Sequence, residues 1–342
     1  MTDTYCDPSD PSGTFLATPQ FLSLALHSFG FVAIPVHLFG AYCILAKTPP
    51  SMDSIKWSLL NFHFWSCFVD LGLSLLTTPF VLVPLMAGYP LGILRFTWMT
   101  TADQTYFQVV SVVVMGVSIF GLFENRFLIL SPANHWWHRV RVPWFILNYV
   151  VAVTFFYPVY YFIPEDQEAG KQYVIQILPC LSAEVKSAPI FLLADSTALF
   201  LRSGAAELAF LSFELGVLFV QITKSFDRYG RKLSRRTVNL QRKLIRALIL
   251  QLLLPFFILV FPIVFLGISC WVKYHNQALN NLSFILISSH GFFSTIAMIS
   301  VQAPYREEVL RLVFCGKRNI RKKSMTLNSI NVQPLNIVAI TK

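Results

Sequence analysis

The chain has 342 residues, of which 55% are hydrophobic, 15% aromatic and 13% charged, with a net charge of +10 and a mean hydropathy of +0.59. An ordinary soluble domain carries about 25% charged residues, so this composition excludes a soluble globular protein and a disordered one, leaving a bilayer as the natural solvent. Nucleic acid is excluded as a partner because the basic residues lie between long apolar runs rather than on one soluble face. Cysteines at 6, 43, 67, 180, 270 and 315 make no CxxC pair, which removes the usual zinc and redox signatures. No cofactor or metal is expected.

Crossing a hydrocarbon core of about 30 Å takes about 20 apolar residues at 1.5 Å each. Seven runs meet that length, at 20–46, 57–85, 101–128, 142–163, 198–222, 245–271 and 281–303. Residues 1–19 form a tail preceding the first run. This tail holds Asp3, Asp7 and Asp10 but no basic residue, so it lacks the positive region of a cleavable signal peptide. Residues 304–316 follow the last run with Tyr305, Val309, Leu312 and Val313 on one helical face and Arg306, Glu307, Glu308 and Arg311 on the other, the pattern of an amphipathic interfacial helix. Residues 317–342 form a basic tail. Lys and Arg divide 22 to 4 between the two sides of the membrane. Positive charge is retained in the cytoplasm, so the N-terminus is expected outside and the C-terminus inside. The resulting fold is an all-α membrane protein: a seven-transmembrane helix bundle, GPCR-like, with a short amphipathic helix after the seventh span.

Within the runs, Asp70 lies near mid-membrane, and Glu207, Glu214 and His290 are further intramembrane polar groups. Such groups are costly in lipid, face the bundle, and mark functional positions or interhelical hydrogen bonds. At the inner end of the third run, Glu124-Asn125-Arg126 resembles the acidic-Arg-Tyr lock of rhodopsin-like receptors, shifted by one residue. That shift turns the guanidinium about 100° around the helix, and an arginine merely snorkelling to the interface is the alternative. Pro304-Tyr305-Arg306 occupies the region of the Pro-x-x-Tyr segment, with the two residues adjacent here. Pro255 and Pro262 permit a kink in the sixth run. Arg235 and Arg236 belong to the basic third inner loop, suited to a G protein or to anionic lipid. Cys315 beside Lys317 is a candidate for palmitoylation. Trp98, Asp103, Gln104, Tyr106 and Arg202 are candidates for a ligand pocket in the outer half, where an apolar cleft with a few polar anchors is expected.

Several segments resemble one group of proteins over nearly the whole chain. They are Ile34-Pro35-Val36-His37, Gly40 through Leu45, Trp57-Ser58-Leu59-Leu60-Asn61 with His63, Trp65 and Asp70, Phe123 through Phe127, Pro179-Cys180, His290-Gly291 and Pro304-Tyr305-Arg306. The resemblance is to nematode chemosensory seven-transmembrane receptors of the serpentine receptor class H family. It implies a plasma-membrane receptor on sensory neurons, placed in their cilia, that binds an environmental small molecule and signals through a heterotrimeric G protein. A Cys6–Cys180 bridge is likewise implied by the family, with Cys270 as the competing partner.

Other functions fare worse on residues. An opsin needs a lysine in the seventh span, and none lies between 274 and 316. An insect-type odorant-gated channel has its N-terminus inside, against the charge count. No internal repeat favours a transporter. Ser118 and His290 stand about 12 Å apart along the membrane normal at 1.5 Å per residue, too far for an intramembrane protease. A ligand-gated seven-span channel and a neuropeptide or hormone receptor of the same fold remain as alternatives.

Overall fold

The computed structural model describes residues 5–6, 14–132, 134–194, 197–229 and 235–313. Helix α1 spans Pro19–Lys47. Thr18 caps it by accepting the Phe21 N–H at 3.2 Å, and Pro19 sits at the first position, where a missing N–H costs nothing. The helix stops at Lys47, ahead of Pro49 and Pro50.

The second run departs from expectation. Helix α2 covers Asp53–Leu71 and continues as a π turn only to Leu76, not to residue 85. Thr77 closes it, with both its N–H and its hydroxyl donating to the Gly72 carbonyl at 2.8 and 2.9 Å. Thr78 then takes a left-handed conformation at φ 40°, held by its hydroxyl, which donates to the Ser74 carbonyl and lies 3.3 Å from His27 Nε2. Pro79, which cannot extend a helical ladder, opens strand β1 (Pro79–Val81). Strand β2 (Met86–Pro90) pairs with it antiparallel.

Helix α3 (Thr101–Leu130) starts at a capping box between Thr100 and Asp103. Helix α4 (Trp137–Thr154) begins five residues before the expected 142 and is followed by a 3-10 segment, Tyr157–Phe162. The connection expected at 164–197 is folded. It contains α5 (Gln167–Ile177), α6 (Ala183–Ser187) and strand β3 (Phe191–Ala194), which pairs antiparallel with β2 in the order β1-β2-β3. Helices α7 (Thr197–Tyr229), α8 (Arg235–Val272), α9 (Gln277–Val301) and α10 (Ala303–Val313) complete the described chain.

Among the described residues, six helical segments are long and apolar enough to cross a membrane, and Phe256–Val272 of α8 adds a shorter apolar one. Phe31, Phe213 and Phe261 are about 70% exposed on their outer faces, the inverse of a soluble domain and the arrangement a bilayer requires. The chain is a multi-pass membrane protein. Its central core joins α1, α2, α3, α8 and α9 through Ile44, Leu59, Val69, Met115, Leu122, Leu248 and Met298, with Tyr305 of α10 beneath them.

The end that holds the sheet has a separate core. Leu22 and Leu26 of α1 pack with Phe80, Leu82, Val174, Leu178 and Leu192. Cys6 is disulfide-bonded to Cys180, the Tyr5 N–H donates to the Ile177 carbonyl, and the His275 N–H donates to the Tyr5 carbonyl at 3.0 Å. The N-terminal segment is thus stitched across two connections, forming a cap on this end. The opposite end carries the basic connections and is called the basic end below.

Candidate functional site

Asp70, Ser66 and His63 fall on one face of α2 at helical spacing and are all buried. Asp70 is fully buried and meets α9 at mid-helix. Its carboxylate accepts the main-chain N–H of Gly291 at 3.0 Å and of Phe292 at 2.7 Å. Gly291 is required by this approach, because a Cβ there would stand 2.6 Å from the Ser66 carbonyl and 2.7 Å from Asp70 Oδ2. His290 Nδ1 lies 3.0 Å from Asp70 Oδ1 and 2.9 Å from the Ile287 carbonyl. Both neighbours accept, so Nδ1 carries the proton. The ring's Nε2 faces Met115 Sδ at 2.9 Å and Ser66 Oγ at 3.5 Å, reaching α3.

Helix α1 enters the same network. His37 Nε2 stands 3.3 Å from Asp70 Oδ2 but off the hydrogen-bonding direction, so this contact is electrostatic. Its Nδ1 is 3.2 Å from Thr295 Oγ1, and His63 Nε2 donates to the His37 carbonyl at 2.9 Å. The Thr295 hydroxyl donates to the Gly291 carbonyl at 2.8 Å. Gly40 admits this packing: a Cβ there would lie 2.6 Å from Thr295 and 2.8 Å from His63. One carboxylate therefore ties α2 to α9 through main-chain donors and to α1 through an imidazole, so α9 cannot slide or rotate without breaking those bonds. Among the described residues, no group of His, Cys, Asp and Glu is arranged to hold a metal ion.

At the basic end the three residues of the Glu124-Asn125-Arg126 segment turn to three different neighbours. Glu124 accepts the Trp137 indole N–H at 2.8 Å and pairs with the Arg141 guanidinium at 3.1 and 3.2 Å. The Asn125 amide donates to the Ser54 carbonyl of α2 at 2.9 Å. Arg126 is 2% exposed, and its Nε has no hydrogen-bond partner among the described residues. The acid's partner is thus Arg141 of α4, not its neighbour in sequence. Starting the fourth span at 142 hid Arg141, and the readable signal was Trp137 and Arg141 one helical turn apart. Nearby, Tyr305 is fully buried with its hydroxyl 2.7 Å from Thr48 Oγ1, and Arg306 donates to the Ser300 carbonyl. Glu308 bridges Lys47 at 3.2 Å and Arg311 at 2.7 Å.

Of the candidate ligand-pocket residues, Asp103 and Tyr106 both meet Tyr160. Trp98 is 88% exposed and Arg202 is exposed. Asp103 serves the α3 cap and accepts the Tyr160 hydroxyl at 2.9 Å. Gln104 donates to the Leu94 and Met99 carbonyls, and Tyr106 to the Val153 carbonyl. Each is occupied in holding local structure. On α7, Glu207 and Glu214 are buried on a shared face. Glu214 Oε1 accepts Trp144 Nε1 at 2.8 Å and Asn148 Nδ2 at 3.1 Å, while its Oε2 has no partner among the described residues. Helix α8 runs through Pro255 and Pro262 without interruption. The side chains of Arg235, Arg236 and Pro255, together with Cys315 and residues 317–342, lie outside the described residues.

The helices that cross the membrane, with the polar knot of α1, α2 and α9 at their centre and an amphipathic helix after the last, define a seven-transmembrane receptor bundle of the GPCR type. Residues 17–315 match the family described as Serpentine type 7TM GPCR chemoreceptor Srh. The chain is also similar to Serpentine receptor class H-72 of Caenorhabditis elegans, at 28% identity covering 93% of each chain. This chain belongs to the Srh family of serpentine chemoreceptors.

Proposed function

We propose that this chemoreceptor binds an environmental small molecule from the capped end, which faces outward, and activates a heterotrimeric G protein at the basic end, which faces the cytoplasm. Sensory-neuron cilia are the expected location. The observation that carries this reading is the Asp70 network, with the Gly291 and Phe292 N–H groups at 3.0 and 2.7 Å. A ligand that shifts α9 near the cap changes this network, and the change reaches Tyr305 and α10 through the same helix, a population shift between two packings. The 22-to-4 division of basic residues supports the orientation.

Nucleotide exchange on co-expressed G proteins, screened against volatile and water-soluble chemicals, tests the proposal. Agonist-dependent exchange is expected in the native chain, with loss in Arg126→Ala and an altered basal rate in Asp70→Asn. Ligand-dependent current without nucleotide exchange would overturn the G-protein reading in favour of a channel.

A further inference from the structure

Glu214 of α7 is held against α4 in mid-membrane, about 21 Å from Phe200 and about 17 Å from Ser225 along the apolar segment at 1.5 Å per residue. One of its oxygens is crowded and the other is bare. Oε1 accepts both the Trp144 indole N–H at 2.8 Å and the Asn148 amide N–H at 3.1 Å, whereas Oε2 has no partner among the described residues. Asn148, 1% exposed, is unbalanced in the same way. Its Nδ2 serves Glu214 and the Trp144 carbonyl, while its Oδ1 has no partner among the described residues. The seam between α4 and α7 therefore holds two enclosed acceptors and lacks a donor.

It lacks a positive charge as well. Among the described residues no cation pairs with Glu214. Along α4, Arg141 lies about 10 Å toward the basic end and is committed to Glu124. Along α7, Arg202 and Lys224 lie about 18 and 15 Å away on either side, and both are exposed. On α3, Leu211 packs against Gly116, and Arg126 is ten residues beyond Gly116 while Glu214 is three beyond Leu211, which leaves about 10 Å of helix between them. Glu207, two turns away on the same face, adds a second acid rather than a counter-charge. A carboxylate with no counter-charge in hydrocarbon is severely penalised, and such a group neutralises instead. A water molecule or an ammonium ion would bring donors, but neither Glu214 Oε2 nor Asn148 Oδ1 has room beside it for a group of that size. The donor that needs no room is a hydrogen on one of the two oxygens.

We infer that Glu214 is a proton-binding site that latches α7 to α4: Oε2 carries the hydrogen and donates it to Asn148 Oδ1, completing a neutral acid–amide pair with the Asn148 N–H bond to Oε1. The proton comes from water as the seam closes, and no other species is changed. The latch joins the two helices without placing a charge in hydrocarbon, and it returns the proton to water if α7 parts from α4.

Infrared difference spectroscopy of the full chain at neutral pH tests this, in dodecyl maltoside, a detergent without a carbonyl group. The native-minus-Glu214→Gln spectrum is expected to show a carboxylic-acid carbonyl band and no carboxylate stretch. Glutamine offers Asn148 Oδ1 an N–H where the acid offers its O–H, so this variant is expected to fold. In Asn148→Leu the acid band is expected to move to higher frequency, because its hydroxyl and its carbonyl each lose a partner. That shift decides the matter if Glu214→Gln does not fold, and Glu207→Gln is the control that leaves the Glu214 band in place. A carboxylate stretch in place of the acid band would overturn the bound proton. An acid band indifferent to Asn148→Leu would overturn the latch to α4.

Discussion

The two ends of the bundle are held together by different kinds of bond. At the capped end the joins include a covalent bond and main-chain ladders, namely the Cys6–Cys180 disulfide, the three-strand sheet and the Tyr5 links to Ile177 and His275, beside which the Asn280 and Asn281 amides donate to the Val83 and Leu16 carbonyls. At the basic end they run through side chains: Glu124 with Arg141 and Trp137, Glu308 with Lys47 and Arg311, Tyr305 with Thr48, and Asn125 with the Ser54 carbonyl. Main-chain ladders and a disulfide keep one geometry regardless of charge, whereas side-chain pairs depend on charge and can change partner. A receptor built this way has a fixed cap and an adjustable basic end, with Asp70 between them.

The largest effect is expected at the middle. Asp70→Ala takes the carboxylate acceptor from the Gly291 and Phe292 N–H groups and leaves the His290 proton only the Ile287 carbonyl. Buried donors left unpaired cost about 1–3 kcal/mol each, so a loss of about 3–5 kcal/mol is expected. Thermal unfolding of the detergent-purified chain measures it. Cys6→Ser comes next, at about 2–5 kcal/mol, and its effect is confined. Hydrogen exchange is expected to rise at 177–180 and 273–275 but not at 287–295. Equal loss of protection in both places would show that cap and core are one cooperative unit and would dissolve the comparison.

The membrane-crossing helical fold and the oddity of Asp70 were legible because a bilayer imposes length and apolarity, and a carboxylate among apolar residues stands out. The cap was not. Leu76 to Leu85 is as apolar as the span before it, so hydropathy alone continues the helix. Pro79 and Pro84 were the signals that it ends. The Thr100-x-x-Asp103 spacing is a capping box, a structural role for Asp103 that the sequence also displayed. Asp70's principal partners were illegible for a different reason: they are main-chain donors of Gly291 and Phe292, which any sequence supplies. Only the absence of a side chain at 291 marks the place.

The smallest predicted effect probes the basic end through pH. The Glu308 carboxyl is held below its ordinary range, first by the hydrogen bond from Arg311 and then by Lys47. An undocked glutamate titrates near ~4.3. Because the docked value is lower, the contribution of this carboxylate to docking α10 is complete above the undocked value and is lost as pH falls through the docked one. Protection at 303–313, each exchange rate taken relative to its intrinsic rate at the same pH, is therefore expected to be flat from neutral pH down to about 5 and to fall only below about 4. Glu308→Gln should remove that acid step and leave a slightly faster exchange at every pH. Salt near 1 M, where the screening length is about 3 Å, should mimic part of the loss. Tyr305, fully buried and bonded to Thr48, does not titrate in this window. If α10 stays equally protected in acid and in the glutamine variant, the burial of Tyr305 alone docks it. The basic end would then be as fixed as the cap.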